Sequence, residues 1–317
     1  MKITLTEENY RKMSLLIVGT IAFDSVETPW GKAERILGGS GTFAGCAASF
    51  FTQPRLSGVI GGDFPEEYLD ILREKRVDTE GVVRKEGKTF FWAGRYESDV
   101  NVRTTLATEL NVLADFDPKL PASYLDSEYV FLANIDPDLQ AKVLDQCGKI
   151  KFSVIDTMNF WIDTKRESLD RVLQRVDAVL INDEEARMLC GTPNLLKAAE
   201  TILSGRPKVV IVKKGEHGIM MVTKNSIFAL PGFPLRQVKD PTGAGDSFAG
   251  GFAGYIARAG KTDDATLRQA VVAGSAAASF CCEDFSVNRF RNLSTADLLG
   301  RIGAFSDLTL FEKPVTD

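Results

Sequence analysis

Six short runs of largely apolar residues recur along the chain: Leu15 to Gly19, Arg55 to Gly61, Tyr129 to Ala133, Phe152 to Ile155, Ala178 to Ile181 and Val209 to Val212. Apolar residues at consecutive rather than alternate positions are typical of strands buried on both faces. Several runs end in a polar cluster that opens a helical stretch, as in Asn134-Ile135-Asp136-Pro137, Asp156-Thr157-Met158-Asn159 and Asn182-Asp183-Glu184-Glu185. Strands alternating with helices imply right-handed crossovers and a parallel sheet. The polar clusters then gather at the carboxyl ends of the strands, where open α/β sheets bind ligands. After Arg55 to Gly61, the loop Gly62-Asp63-Phe64 leads to a helix marked by Tyr68, Leu69, Ile71 and Leu72, which Val77-Asp78 with Gly81-Val82 closes. Lys213 to Gly218 turns one run back into an antiparallel partner, Ile219 to Val222, followed by Ile227 to Leu230.

Two stretches break this rhythm. From Thr89 to Leu106 the period shortens to two, with Phe90, Trp92 and Tyr96 on one face, Phe91, Ala93 and Arg95 on the other, and a turn at Glu97 to Asn101. A hairpin apolar on both faces suits a lid over a ligand or a surface that pairs with a second subunit. Thr28 to Ile36 mixes charged and apolar residues and reads as a second excursion. The pattern as a whole predicts one α/β domain over residues 1–317: a mostly parallel central sheet flanked by helices, with a small β lid from about 25–37 and 88–107. Residues 1–13 are polar and read as an appended strand or arm. Arg11 and Lys12 before Leu15 to Phe23 imitate a signal peptide, but Asp24 and the lack of a small-x-small cleavage site argue against one.

Composition narrows the function classes. With 317 residues, 44% hydrophobic and 26% charged, a sizeable core is available. A net charge of -5 without a long basic run argues against nucleic acid or an anionic membrane as the main partner. No apolar run approaches the roughly 20 residues that span a bilayer. Five cysteines, an odd number with no CxxC spacing, indicate neither a disulfide framework nor a zinc site, and suit reduced thiols in the cytoplasm. The single histidine, His217, lies in a Gly-rich turn, which makes a Ser-His-Asp hydrolase a poor fit. No Walker A sequence and no internal repeat is present.

The chemistry concentrates in Asp240-Pro241-Thr242-Gly243-Ala244-Gly245-Asp246, ahead of a helix in which Phe248, Phe252, Tyr255 and Ile256 share a face. Gly243 to Asp246 therefore stand at a helix start, where free N–H groups and the macrodipole favour an anion, commonly a phosphate. A carboxylate inside such a turn repels a phosphate unless it has another task. Asp246 fits either a proton acceptor in phosphoryl transfer or a plain helix cap. A competing signal is Gly39-x-Gly41-x-x-Ala44 with Asp63 downstream, which imitates a dinucleotide fingerprint. The charged segment before it is no buried strand, which weakens the nicotinamide reading.

The stretch from Asp240 to Ala253 resembles the C-terminal signature of the ribokinase-like (PfkB) carbohydrate kinases. The Gly38-Gly39 pair is similar to that family's N-terminal di-glycine, and Asn182-x-x-Glu185 to its Asn-x-x-Glu element. The resemblance implies Asp246 as general base and the amides of Gly243, Ala244 and Gly245 as an anion hole. It implies that Asp24 binds the acceptor hydroxyls, with Gly38 and Gly39 close to the substrate and hinging the lid. Glu185 would orient the magnesium-bound water shell, Asn182 and Lys213 would lie along the nucleotide, and Gly215 would sit in its turn. Asn182 and Glu185 equally fit a capping box. Asp240 matches a residue that holds potassium in many members, although the Glu283 to Asn288 loop lacks the usual glycine. Gly274, in an alanine-rich helix from Leu267 to Phe280, suits an adenine-covering helix or tight packing. Phe43 stands about where ribokinases carry a substrate-binding Asn, which weighs against ribose and leaves stacking or packing. Arg95 and Arg103 are candidates to reach the acceptor. The expected activity is ATP- and magnesium-dependent phosphorylation of a hydroxyl on a sugar or sugar-like molecule, with possible use of K+ and a homodimer through the lid. The alternatives are a nucleoside kinase or a catalytically idle ligand-binding protein of the same fold.

Overall fold

The computed structural model describes residues 14–312, so the readings made for residues 1–13 lie outside the described residues. Its centre is a nine-stranded sheet in the order β13-β12-β11-β10-β9-β8-β1-β4-β5. The strands are β1 (Leu15–Val18), β4 (Pro54–Gly61), β5 (Asp78–Lys85), β8 (Tyr129–Leu132), β9 (Phe152–Asp156), β10 (Ala178–Asn182), β11 (Val209–Lys213), β12 (Ile219–Thr223) and β13 (Ile227–Leu230). All neighbours pair in parallel except β11 with β12 and β12 with β13. The alternation of side chains along a strand divides the core into two layers. Leu15 and Ile17 of β1 enter the cluster on one face, and Leu16 and Val18 enter the cluster on the other.

One strand departs from the sequence reading. The segment Val77 to Val82 does not merely close the preceding helix, α2 (Glu66–Glu74): from Asp78 it forms β5. Its polar start and half-exposed pattern belong to an edge strand, whose pairing with β4 supplies the hydrogen bonds that its own sequence does not advertise.

Helices α1 (Ser40–Ala48), α8 (Ala244–Ala259) and α9 (Asp264–Cys281) cover one face of the sheet. The other is covered by α3 (Pro137–Gln146), α4 (Asn159–Thr164), α5 (Arg166–Leu173), α6 (Asp183–Cys190) and α7 (Leu195–Leu203). Short α10 (Asn288–Arg291) and α11 (Thr295–Thr309) are the last helices among the described residues. Glycines let α8 sit unusually close to its neighbours. A Cβ at Gly250 would lie 2.1 Å from the Ala44 carbonyl oxygen of α1, and one at Gly251 would lie 2.9 Å from the Cα of Gly274 in α9. This clamp fixes where the N-terminus of α8 emerges.

The two excursions form one four-stranded sheet, β3-β2-β6-β7, from β2 (Ala22–Thr28), β3 (Gly31–Gly38), β6 (Phe91–Tyr96) and β7 (Arg103–Glu109). Antiparallel hairpins β2-β3 and β6-β7 are joined by a parallel β2-β6 pairing that sets Asp24 opposite Trp92. Val26 and Tyr96 on its inner face cluster with Phe285 of the loop after α9, and Trp92, Ile36 and Ala33 pack against them.

Candidate active site

Gly243 caps α8 in the left-handed region, at φ 76°, and no side chain caps the helix. The capping alternative for Asp246 is therefore not what the backbone adopts, since Asp246 is already the third helical residue. As first-turn residues, Gly245 and Asp246 have N–H groups without an intrahelical acceptor. Asp240 braces the turn from behind by accepting the Thr242 N–H at 2.8 Å. Gly243 is required twice, by its backbone angle and because a Cβ there would lie 2.3 Å from the Phe43 ring. That contact corrects the substrate reading of Phe43. At 2% exposure its ring lies under the turn and packs it from below.

Five carboxyl groups, Asp246, Glu185, Asp24, Asp240 and Asp156, crowd the site, and burial is the leading reason that each is pushed upward. Asp246, with Asp156 adding repulsion and Lys213 opposing it, is pushed to about 7. Glu185, tempered by Lys213, is also raised to about 7. Asp24, with the Asp240 charge adding to its burial, reaches about 8, while Asp240 itself reaches about 6. Lys213 supplies the compensating charge. Its Nζ bonds both Asp156 oxygens, at 2.9 and 2.7 Å, and lies 3.3 Å from where a Cβ of Gly245 would stand. Burial alone would lower the lysine, but Asp156 and Glu185 raise it above its ordinary value, so it stays charged beside the glycine turn.

Asn182 and Glu185 form a full capping box at the start of α6. The Asn182 N–H donates to Glu185 Oε2 at 2.9 Å, and the Glu185 N–H donates to Asn182 Oδ1 at 2.7 Å. The cap does not exclude the role expected for Glu185, because it fixes one carboxylate oxygen while the residue, 7% exposed, faces Lys213 and Asp156. Asp24 is placed by β2 of the lid sheet and not directly at the end of β1. It is 5% exposed and turned onto the di-glycine, where a Cβ at Gly38 would overlap its Oδ2 at 2.0 Å and the Gly39 N–H donates to it. Gly215 lies in the turn after β11, where a Cβ would lie 2.5 Å from Asn101 Oδ1 of the lid tip.

Two further readings are corrected. Arg95 lies on the outer face of the lid, exposed and paired with Glu27 at 3.2 Å, so it does not enter the site. Gly274 is buried in the α8–α9 crossing, with the Phe248 carbonyl 2.6 Å from its would-be Cβ, and serves helix packing instead of lining a nucleotide. Sequence reasoning passed over Asp156 as a site residue. Its signal was available, since it is an acid at the carboxyl end of a buried strand, but its partner Lys213 is 57 residues away. The spacing Gly39-x-Gly41-x-x-Ala44 follows β3, a strand of the lid, so it does not begin a βαβ dinucleotide unit.

The profile of the pfkB family carbohydrate kinases matches residues 19–292. The chain belongs to this family. Cytidine kinase from Thermococcus kodakarensis is 31% identical over 257 residues, which cover 77% of this chain and 88% of that one. The nucleoside kinase of Methanocaldococcus jannaschii superposes with a TM-score of 0.74 at 20% identity, covering 92% of this chain and 98% of the other. The Burkholderia thailandensis nucleoside kinase in complex with inosine gives 0.74 at 19% identity, covering 93% and 98%. The ribokinase fold and the assignment as a kinase that transfers a phosphoryl group to a hydroxyl follow, and family kinases use ATP. Membership also displaces the nicotinamide reading. No helix among the described residues is long and apolar enough to cross a membrane.

Proposed function

We propose that this kinase phosphorylates a hydroxyl of a nucleoside or related sugar at the expense of ATP, with Asp246 as general base. The observation that carries the reading is a carboxyl pushed up to about 7 in the first turn of a glycine-capped helix, beside a buried lysine. A base is most effective when its pKa lies near the working pH. The acceptor oxygen attacks the γ-phosphorus, its proton passes to the Asp246 carboxylate, the bond between the γ-phosphorus and the bridging oxygen breaks, and ADP leaves. The amides of Gly243 and Gly245 stabilise charge on the moving phosphoryl, whereas the Ala244 N–H already donates to the Pro241 carbonyl at 3.1 Å, and Lys213 adds a fixed positive charge. Asp24 orients the acceptor from the base of the lid, and lid closure excludes water.

Among the described residues, no group of three or more His, Cys, Asp and Glu is arranged to hold a metal. A magnesium ion fits here as one carried mainly by the nucleotide phosphates, with Glu185 and Asp156 as the nearby carboxylates, and it would neutralise phosphate charge when bound. The buried Asp240, bonded by the N–H groups of Thr242 and Ser286 and joined to no cationic side chain among the described residues, suits a monovalent cation such as K+. Ser286, at φ 57°, supplies the left-handed bend that a glycine would otherwise make in the Glu283 to Asn288 loop.

Between acceptors, the similarity to a cytidine kinase over 77% of the chain favours a nucleoside over a free sugar. The apolar inner lid face of Trp92 and Ile36, packed with Phe285 from the loop after α9, suits a flat base above hydroxyls held at Asp24. The test is ATP consumption with magnesium and potassium against nucleosides, sugars, sugar acids and inositols, with Asp246→Asn as the blank. Turnover with a nucleoside above that blank supports the full reading. Turnover with sugars alone reassigns the acceptor, and no turnover despite ATP binding overturns the proposal.

A further inference from the structure

The lid carries a cation that the reading above does not use. In the β6-β7 register Tyr96 stands directly opposite Arg103, so the two side chains project from the same face of the lid. Tyr96 shows where that face points, because its hydroxyl bonds Thr242 Oγ1 of the anion turn at 3.2 Å. On the other side of Arg103, Asn101 Nδ2 donates to Glu216 in the turn after β11 at 3.3 Å. Arg103 is thus bracketed by contacts to the anion turn and to the proposed nucleotide turn. Its guanidinium lies 5.5 Å from the centre of the inward-facing Trp92 ring. Among the described residues it joins no ion pair, whereas Arg95 on the opposite face is paired with Glu27. The Arg103 charge is felt by both Asp246 and Glu185.

We propose that Arg103 is a further catalytic residue: the closed lid delivers its guanidinium to the oxygens of the γ-phosphoryl group during transfer. An unpaired, forked donor resting on an aromatic ring is suited to a planar arrangement of phosphoryl oxygens and is kept from collapsing onto the site's carboxylates. Its position on the lid makes full stabilisation available only after closure, so ATP held in the open enzyme lacks it.

This inference rests on the kinase reading, and the experiment separates the two. Wild-type turnover and its loss in Asp246→Asn test that reading; Arg103→Ala tests the arginine. The expected result is a fall in kcat of about 10³-fold, the low end of what arginine fingers contribute, with a smaller change in the KM values. Added guanidinium at sub-denaturing concentration should restore part of the rate in Arg103→Ala but not change Lys32→Ala, a second lid-cation variant. Arg103→Lys should recover only part of kcat, because an ammonium lacks the fork. Circular dichroism and thermal melting establish that the variants are folded. Wild-type kcat in Arg103→Ala would overturn the proposal. So would a rise confined to the acceptor KM without guanidinium rescue, which would make Arg103 an acceptor contact.

Discussion

At the scale of single residues, the site is a set of carboxyl groups held away from their ordinary protonation. Asp246 is expected to lose its proton only near pH 7, so kcat/KM should climb as pH rises through about 7 and level off above it. Asp246→Asn should lower kcat by about 10²- to 10⁴-fold while leaving ATP affinity, measured by calorimetry, close to wild type. Unchanged turnover would remove the base. Asp24 has the opposite use for its shift. A carboxyl raised to about 8 in the folded state binds its proton more tightly there than in the unfolded chain. Its favourable contribution is therefore complete below pH 4 and is lost as pH rises to about 8. Asp24→Asn should melt higher than wild type at pH 9 and gain much less at pH 5, even as acceptor use suffers. Asp246 and Asp24 were legible as acids in the right motifs. Their protonation was not, because it depends on desolvation and on neighbours such as Asp156 and Asp240 that come from distant stretches of the chain.

At the scale of elements, α8 shows how a site is positioned by what lies behind it. Gly250 and Gly254 bring its axis against Ala44 and Ala48 of α1. Gly250→Val would press on a carbonyl oxygen that cannot move as a flexible side chain can, and should cost at least the ~1–3 kcal/mol of an overpacked core in chemical denaturation. Gly303 offers the contrast. It lies in α11 with nothing within 4 Å of a would-be Cβ, so Gly303→Ala should stabilise by about 0.5–1 kcal/mol. The helical period and the glycine content of α8 are visible in the sequence, and so is the Asn182-x-x-Glu185 box. What the helix packs on is not. Gly274 shows the difference, since an alanine-rich helix suits a nucleotide wall or a neighbouring helix equally well until the partner is known. Strand β5 was hidden for a related reason, as an edge strand needs only one packed face and borrows its order from β4.

At the scale of the whole molecule, the lid and the sheet are two bodies that meet over the carboxyl ends of the strands. Tyr96 reaches the anion turn and Asn101 reaches the turn after β11, so the lid touches both places where phosphates are expected. Tyr96→Phe keeps the ring and removes the bond to Thr242. It should raise the ratio of acceptor-independent ATP hydrolysis to acceptor phosphorylation, measured as ADP against phosphorylated product, because a looser lid admits water. The sequence by itself determined the alternation of strands and helices, the two excursions of the second sheet, the glycine turn ahead of α8 and the kinase family. These are written locally, as periodicity, turn residues and short motifs whose chemistry needs only near neighbours. Only the tertiary structure decided which face of the lid looks inward, separating Arg103 from Arg95, and that Phe43 supports Gly243 from below. It alone joined Asp156 to Lys213 across the sheet. Those outcomes depend on strand order, register and burial, which arise from contacts between residues far apart in the chain.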